Sequence, residues 1–370
     1  MLENMKIKCG PEYYMYCQGA IEREVPALLQ EHGARNVLIV HGTRSWQAAR
    51  PYLTFLDDPA YTFVKHTYSG ECSYQEAEVL DQIIKDNDID FVIGVGGGKL
   101  CDLVGVTGHL SNINYGVIPT LASNCAPWTP LSVMYKENGE AEGKSEHYKR
   151  QAAFLITDPD LVIDSPVEYF IAGLADTLAK WYESVAILEQ ESLQDEPFLQ
   201  MAKAATEICR ATILNEGTQA IEDMKNKIVS DEFVHVSEII IAVAGLVGGL
   251  GDKYARNAAA HALHDGMGKY IPASHEYLHG QKVAYGILYQ LALEDKWDEI
   301  DALMPMYQQL DLPISMHQMN LYPQDEKVID QIVAFMDGKE KVHLIPIEIS
   351  QPILKNKLLQ LEDYMARYQS

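Results

Sequence analysis

Positive charge is scarce in this chain: 29 Lys and Arg stand against 53 Asp and Glu, a formal net charge of −24. No run of Lys or Arg gathers these few cations into a patch, so neither nucleic acid nor an anionic membrane surface is an expected partner. Paired cysteines are missing too. Cys9, Cys17, Cys72, Cys101, Cys125 and Cys209 include no CxxC and no regular spacing, which fits reduced thiols in a cytoplasmic protein. The N-terminal stretch MLENMKIKCGPEYYMY lacks the apolar core of a secretory signal, and the expected location is again the cytoplasm. The longest apolar stretch, Ile239 to Gly251, is 13 residues and broken by glycines. A bilayer crossing needs about 20, so no membrane span is expected.

What is present is an ordinary globular composition, 47% apolar and 22% charged, which excludes disorder. A length of 370 residues suggests two domains. In the first half, Val37–Val40, Phe91–Val95 and Tyr115–Pro119 are continuous apolar runs of the kind buried on both faces of a parallel sheet. Between the first two, residues 74–86 place Ala77, Leu80, Ile83 and Ile84 at helical spacing. This βαβα rhythm predicts a Rossmann-like α/β domain over residues 1–162. Beyond Asp158-Pro159 and Ser165-Pro166 helical patterns dominate, predicting an all-α domain over 163–370. Within it, Leu174, Leu178, Trp181, Val185 and Leu188 form one apolar stripe, with Asp176 on the opposite face. The polar segment 136–149 reads as an exposed hairpin or loop.

Two constellations carry chemistry. Gly94-Val95-Gly96-Gly97-Gly98-Lys99 follows a predicted strand and opens a predicted helix. Glycines there let backbone amides approach a pyrophosphate, and the helix N-terminus favours an anion. The run is neither GxGxxG nor a Walker A loop, so a tight structural turn is the alternative. The second set is Asp176 with His261, His264, His275 and His279, four histidines within 19 residues. A carboxylate and two imidazoles are a common divalent-metal set with one position left open. Spacing alone leaves open whether they converge.

The stretches GVGGGKLCD (94–102), IPTLAS (118–123), PLSVMY (130–135), GLADTLAKWYE (173–183), AAAHALHDG (258–266) and LHGQKVAYG (278–286) resemble, in order and over nearly the whole chain, the iron-containing alcohol dehydrogenase superfamily and its glycerol dehydrogenase branch. NCAPWTPLSV (124–133), the DTLAKWYE helix and GLVGGLGDKY (245–254) look most like the bacterial hydroxycarboxylate dehydrogenase subgroup, which reduces 2-oxo acids. The resemblance implies the dehydroquinate synthase-like fold, with an NAD(P)-binding α/β domain, a helical domain holding one divalent metal (zinc, with iron as the alternative) and catalysis in the cleft between. It implies a homo-oligomer acting on a small molecule. By the same resemblance Gly96, Gly97, Gly98 and Lys99 cradle the pyrophosphate and Asp102 supports that loop. Thr120 and Ser123 bind the cofactor near its adenosine and phosphate parts, and Thr129, Leu131 and Tyr135 flank the nicotinamide. The implied metal ligands are Asp176, His261 and His279, with His264 beside the nicotinamide or substrate.

The chain departs from that pattern at four places. Cys125 stands where glycerol-specific enzymes carry an acid, which favours a carboxylate-bearing substrate over a polyol. At ~4 Å and an effective dielectric of about 20, the repulsion removed is on the order of 4 kcal/mol. Lys180 replaces a fourth, histidine ligand; its ammonium pairs with Asp176, anchors a substrate carboxylate, or takes the metal's place. The strand ending at His41-Gly42-Thr43-Arg44 lacks the acid that binds a ribose 2′-hydroxyl, so NADP is expected alongside NAD. Gly105 replaces a lysine usual after the Asp102 position. Arg256 is a second candidate anchor for a carboxylate. The expected function is therefore oxidoreduction between a 2-hydroxy acid and its 2-oxo acid, or of a vicinal diol such as glycerol. A sugar-phosphate cyclase and a non-catalytic nicotinamide-binding protein are the other readings.

Overall fold

The continuous apolar runs become strands of a parallel sheet in the computed structural model, which describes residue 2, residues 5–137 and residues 139–368. The strands are β1 (Tyr13–Tyr16), β2 (Asn36–His41), β3 (Thr62–Thr67), β4 (Phe91–Gly96), β5 (Asn114–Pro119), β6 (Leu131–Tyr135), β7 (Ala141–His147) and β8 (Phe154–Thr157). Six of them form one sheet in the order β1-β8-β5-β4-β2-β3, every pair parallel. β6 and β7 pair antiparallel, so the polar 136–149 segment is a hairpin. The helices around the sheet are α1 (Ala20–Glu31), α2 (Thr43–Ala49), α3 (Tyr74–Asp86), α4 (Gly98–Leu110) and the short α5 (Pro159–Val162). α3 occupies the residues its periodicity marks, started by the Ser73 hydroxyl accepting the Glu76 N–H at 3.1 Å. Val37, Ile39, Phe91, Ile93, Val95, Ile118, Phe154 and Ile156 fill the core of this layer, together with Leu28 and Leu29 of α1.

The remaining helices are α6 (Val167–Leu188), α7 (Pro197–Asn226), α8 (Asp231–Glu238), α9 (Ala244–Gly251), α10 (Ala259–Tyr270), α11 (His279–Leu293), α12 (Trp297–Gln309), α13 (Glu326–Asp337) and α14 (Gln351–Met365). The chain forms two compact units, and their division differs from a single cut at residue 162. Residues 8–170 and 219–245 make the α/β unit; residues 171–218 and 246–368, with residues 5–7, make the helical one. The returning segment is held to the α/β unit by specific contacts. Phe233 packs on Phe170 at 5.4 Å, the Tyr14 hydroxyl donates to Glu238 at 2.9 Å, and the Lys227 ammonium donates to the Ile163 carbonyl at 2.8 Å. These partners are dozens to hundreds of residues apart, so no local pattern marks them.

The 13-residue apolar stretch belongs to a longer helical run, Asp231–Tyr254, of 24 residues and a mean hydropathy of 2.0 over its best window. By length and composition it is able to cross a bilayer, and 72% of that window is buried inside the protein, as in a core helix. A π-turn at Ile239–Val243 interrupts it.

Candidate metal centre and cofactor loop

α6 is buried nearly all round, so its polar face does not meet solvent. Asp176, Lys180 and Glu183 are each less than a tenth exposed. At positions i, i+4 and i+7 they share one side of the helix. α10 brings His261 to this side and the first residue of α11 brings His279. The His261 Nε2 lies 3.1 Å and the His279 Nε2 3.2 Å from Asp176 Oδ1. Donor atoms of Asp176, His261 and His279 all fall within 4.8 Å of one another, the one such group among the described residues. His264, one turn along α10, stacks edge-on to His279 with ring centroids 4.3 Å apart. His275 is exposed in a 3₁₀ turn and does not join the group.

Electrostatics match the geometry. Burial opposes charge on Asp176, yet His279, Lys180 and His261 hold its carboxyl well below the ordinary range. Burial likewise disfavours an imidazolium at His261, and Glu183 and Asp176 more than offset it, raising the ring to about 9. His264 goes the other way: burial and the adjacent His279 lower it to about 3, so it is neutral at pH 7. Its Nδ1 meets Asp265 at 3.1 Å, and Asp265 in turn meets the Lys341 ammonium at 3.2 Å. A carboxylate and two imidazole nitrogens clustered below 5 Å fit a divalent cation, which replaces the protons that otherwise screen them. Glu183, Asp265 and Lys341 were not marked by the sequence reading. The i, i+7 spacing of Asp176 and Glu183 was the signal available for the first; the others touch the site only through the fold.

In the α/β unit, β4 runs into Gly96 and Gly97, and α4 begins at Gly98 with no side chain capping it. The first-turn amides of such a helix have no intrahelical partners and suit an anion. A Cβ at Gly98 would sit 2.6 Å from Asn124 Oδ1, so the loop accepts only glycine there without rearrangement. Thr120 donates its N–H to the Gly96 carbonyl at 3.1 Å, placing the end of β5 against this loop. Ser123 follows three residues later, and Cys125 opens a turn in which its carbonyl accepts the N–H groups of Trp128 and Thr129. Thr129 leads into Leu131 and Tyr135 on β6.

Lys99 does not present a free charge: its ammonium lies 2.7 Å from both carboxylate oxygens of Glu71 and 4.8 Å from the Tyr135 ring. Asp102 sits on α4, the helix that the loop opens. It is buried in the second turn of α4, where one oxygen accepts the Val133 N–H at 3.0 Å and the other, Oδ1, has no partner. At Gly105 a Cβ would lie 2.5 Å from the Tyr148 hydroxyl, so the tyrosine fills the room a longer side chain would need. Arg256 donates to the Gly248 carbonyl of α9 at 2.9 Å and lies 3.7 Å from Asp252. At the end of β2, buried His41 stacks on Trp46 at 4.4 Å, and the Lys65 ammonium lies over the same indole at 5.3 Å.

Sequence and structure comparisons agree with this layout. The family described as iron-containing alcohol dehydrogenase matches residues 11–159. Hydroxycarboxylate dehydrogenase A of Escherichia coli (strain K12) is 34% identical over 370 aligned residues, covering 98% of this chain and 99% of that protein. Glycerol dehydrogenase of Citrobacter freundii is 30% identical over 76% of this chain and 77% of its own. The crystal structure of a probable glycerol dehydrogenase from Sinorhizobium meliloti 1021 shares the fold, with a TM-score of 0.86 at 22% identity over 98% of this chain and 100% of that one.

Proposed function

The chain belongs to the iron-containing alcohol dehydrogenase family, and from that premise we propose that this nicotinamide-dependent dehydrogenase interconverts a small 2-hydroxy acid and its 2-oxo acid. The observation that carries the reading is the cluster of Asp176, His261 and His279 with the buried Lys180 one turn along the same helix. Asp176, His261 and His279 would hold one divalent metal. Two imidazoles and a carboxylate are the donor set of many catalytic zinc sites, so zinc is the proposed ion and iron the alternative. When bound, the metal supplies Lewis-acid polarisation of the substrate oxygen and the nicotinamide supplies or takes the hydride.

The chain's own residues do the rest. Lys180 offers an ammonium to a substrate carboxylate, and position 125, where the resemblance implies an acid in glycerol-specific enzymes, carries a thiol in this chain. His264, neutral and with Nδ1 turned to Asp265, offers Nε2 as an acceptor of a hydrogen bond from a substrate hydroxyl. Gly96, Gly97, Gly98 and the first amides of α4 take the pyrophosphate, while Thr120, Ser123, Thr129, Leu131 and Tyr135 lie on the segment from the end of β5 through β6 that would flank the rest of the cofactor. His41, rather than an acid, at the end of β2 supports use of NADP alongside NAD.

Glycerol or another vicinal diol is the second reading, favoured by the 30% identity to a glycerol dehydrogenase. Steady-state kinetics on one preparation separates the two. The 2-oxo acid reading expects 2-oxobutyrate or 2-oxoglutarate reduction to exceed glycerol oxidation at least tenfold in kcat/KM; glycerol oxidised faster than either acid is reduced would overturn it.

A further inference from the structure

Glu183 leaves α6 on the same side as Asp176, two turns further on, and is 1% exposed. A carboxylate buried so completely depends on the groups that touch it. Its Oε1 accepts the backbone N–H of Ala258 at 2.7 Å and of His261 at 2.9 Å, while Oε2 meets His261 Nδ1 at 2.5 Å. The start of α10 needs this help, because the methyl group of Ala258 cannot cap it. Gln290 of α11 takes the intervening amide, accepting from Ala259 at 3.0 Å. One acid therefore fixes both the origin of α10 and the ring carried by its third residue.

We propose that Glu183 is a positioning residue for the metal centre: by accepting the Nδ1 proton of His261 it commits Nε2, the nitrogen facing Asp176, to the ion. The proposal rests on Asp176, His261 and His279 being the ligands. An acceptor-only carboxylate forces one arrangement of the imidazole; an amide does not. In Glu183→Gln the carbonyl oxygen still accepts the two backbone amides, but the NH₂ group turns to Nδ1. The ring proton then moves to Nε2, where it blocks the metal. Capping alone predicts something else, since any acceptor would serve, and Gln290 provides the control because it caps the same helix without touching His261.

Zinc affinity of the full chain, measured at fixed pH by competition with a chromophoric chelator, tests this alongside the Tm of the metal-free protein. Glu183→Gln is expected to weaken zinc binding by about 10–100-fold. Glu183→Asp, which keeps the charge and the acceptor-only character, loses less than tenfold, and Gln290→Ala stays within threefold while lowering Tm. Zinc binding by Glu183→Gln within threefold of the parent, or an equal loss in Gln290→Ala, overturns the proposal. His261→Ala separates it from the ligand assignment: a variant that still binds zinc like the parent removes the assignment itself, whereas loss there with retention in Glu183→Gln removes only the role of Glu183.

Discussion

Replacing Asp102 by Asn should make the protein more stable at alkaline pH, not less. The carboxyl is buried in α4 and among the described residues no cation offsets that burial; the Val133 N–H works in the opposite direction but leaves it raised to about 8. A carboxyl raised in the folded state binds its proton more tightly than in the unfolded chain, where the ordinary value is 3.8. Stability is then lost as pH rises between those two values. From pH 5 to pH 8 the loss spans three units at about 1.4 kcal/mol each, or about 4 kcal/mol. Asn keeps a carbonyl for Val133 and has no proton to lose. For a unit of this size, the Tm of Asp102→Asn should gain on the parent by roughly 8–16 °C across that interval. Thermal melts of both proteins at half-unit pH steps measure it, and the shared −24 background cancels in the difference. Parallel Tm curves from pH 5 to pH 8 would refute the reasoning, because they would mean that Asp102 is ionised throughout.

The other predictions concern the site. Lys180→Met removes a charge-assisted contact of about 1.5–3 kcal/mol, so kcat/KM for 2-oxo acid reduction should fall by about 10–150-fold while glycerol oxidation falls far less; an equal loss on both substrates argues against a carboxylate anchor. Glu71→Gln releases Lys99 and should tighten NADH several-fold with a steeper salt dependence, read by fluorescence titration at two ionic strengths; weaker binding would mean that Glu71 itself contacts the cofactor. His41→Asp should lower the ratio of NADPH to NADH use at least tenfold, and an unchanged ratio would show that the end of β2 does not read the 2′-position.

The sheet was legible because burial on both faces leaves a continuous apolar run, as in Val37–Val40 and Phe91–Val95. α3 was legible because its apolar stripe lies within one stretch of chain. Gln219–Gly245 was not, since its place in the α/β unit depends on contacts such as Phe170–Phe233 and Tyr14–Glu238 that no local pattern encodes. At the site, residue types were readable but their convergence was not: Asp176 and His279 meet across 103 positions. The amphipathic reading of α6 placed Asp176 on a polar face and gave no sign that this face is buried. Lys99 reads as a free cation because its partner Glu71 lies 28 residues earlier, in the turn before α3.

The proposed role of the Asp176, His261 and His279 cluster is to support reduction of a 2-oxo acid through a bound divalent metal. The most direct measurement strips the protein exhaustively with a chelator and then follows NAD(P)H-dependent reduction of 2-oxobutyrate as zinc is returned in substoichiometric steps. Activity should vanish on stripping and rise linearly to a break at one zinc per chain, with no such rise in His261→Ala. Full activity in the stripped protein, or a rise that His261→Ala shares, would contradict it.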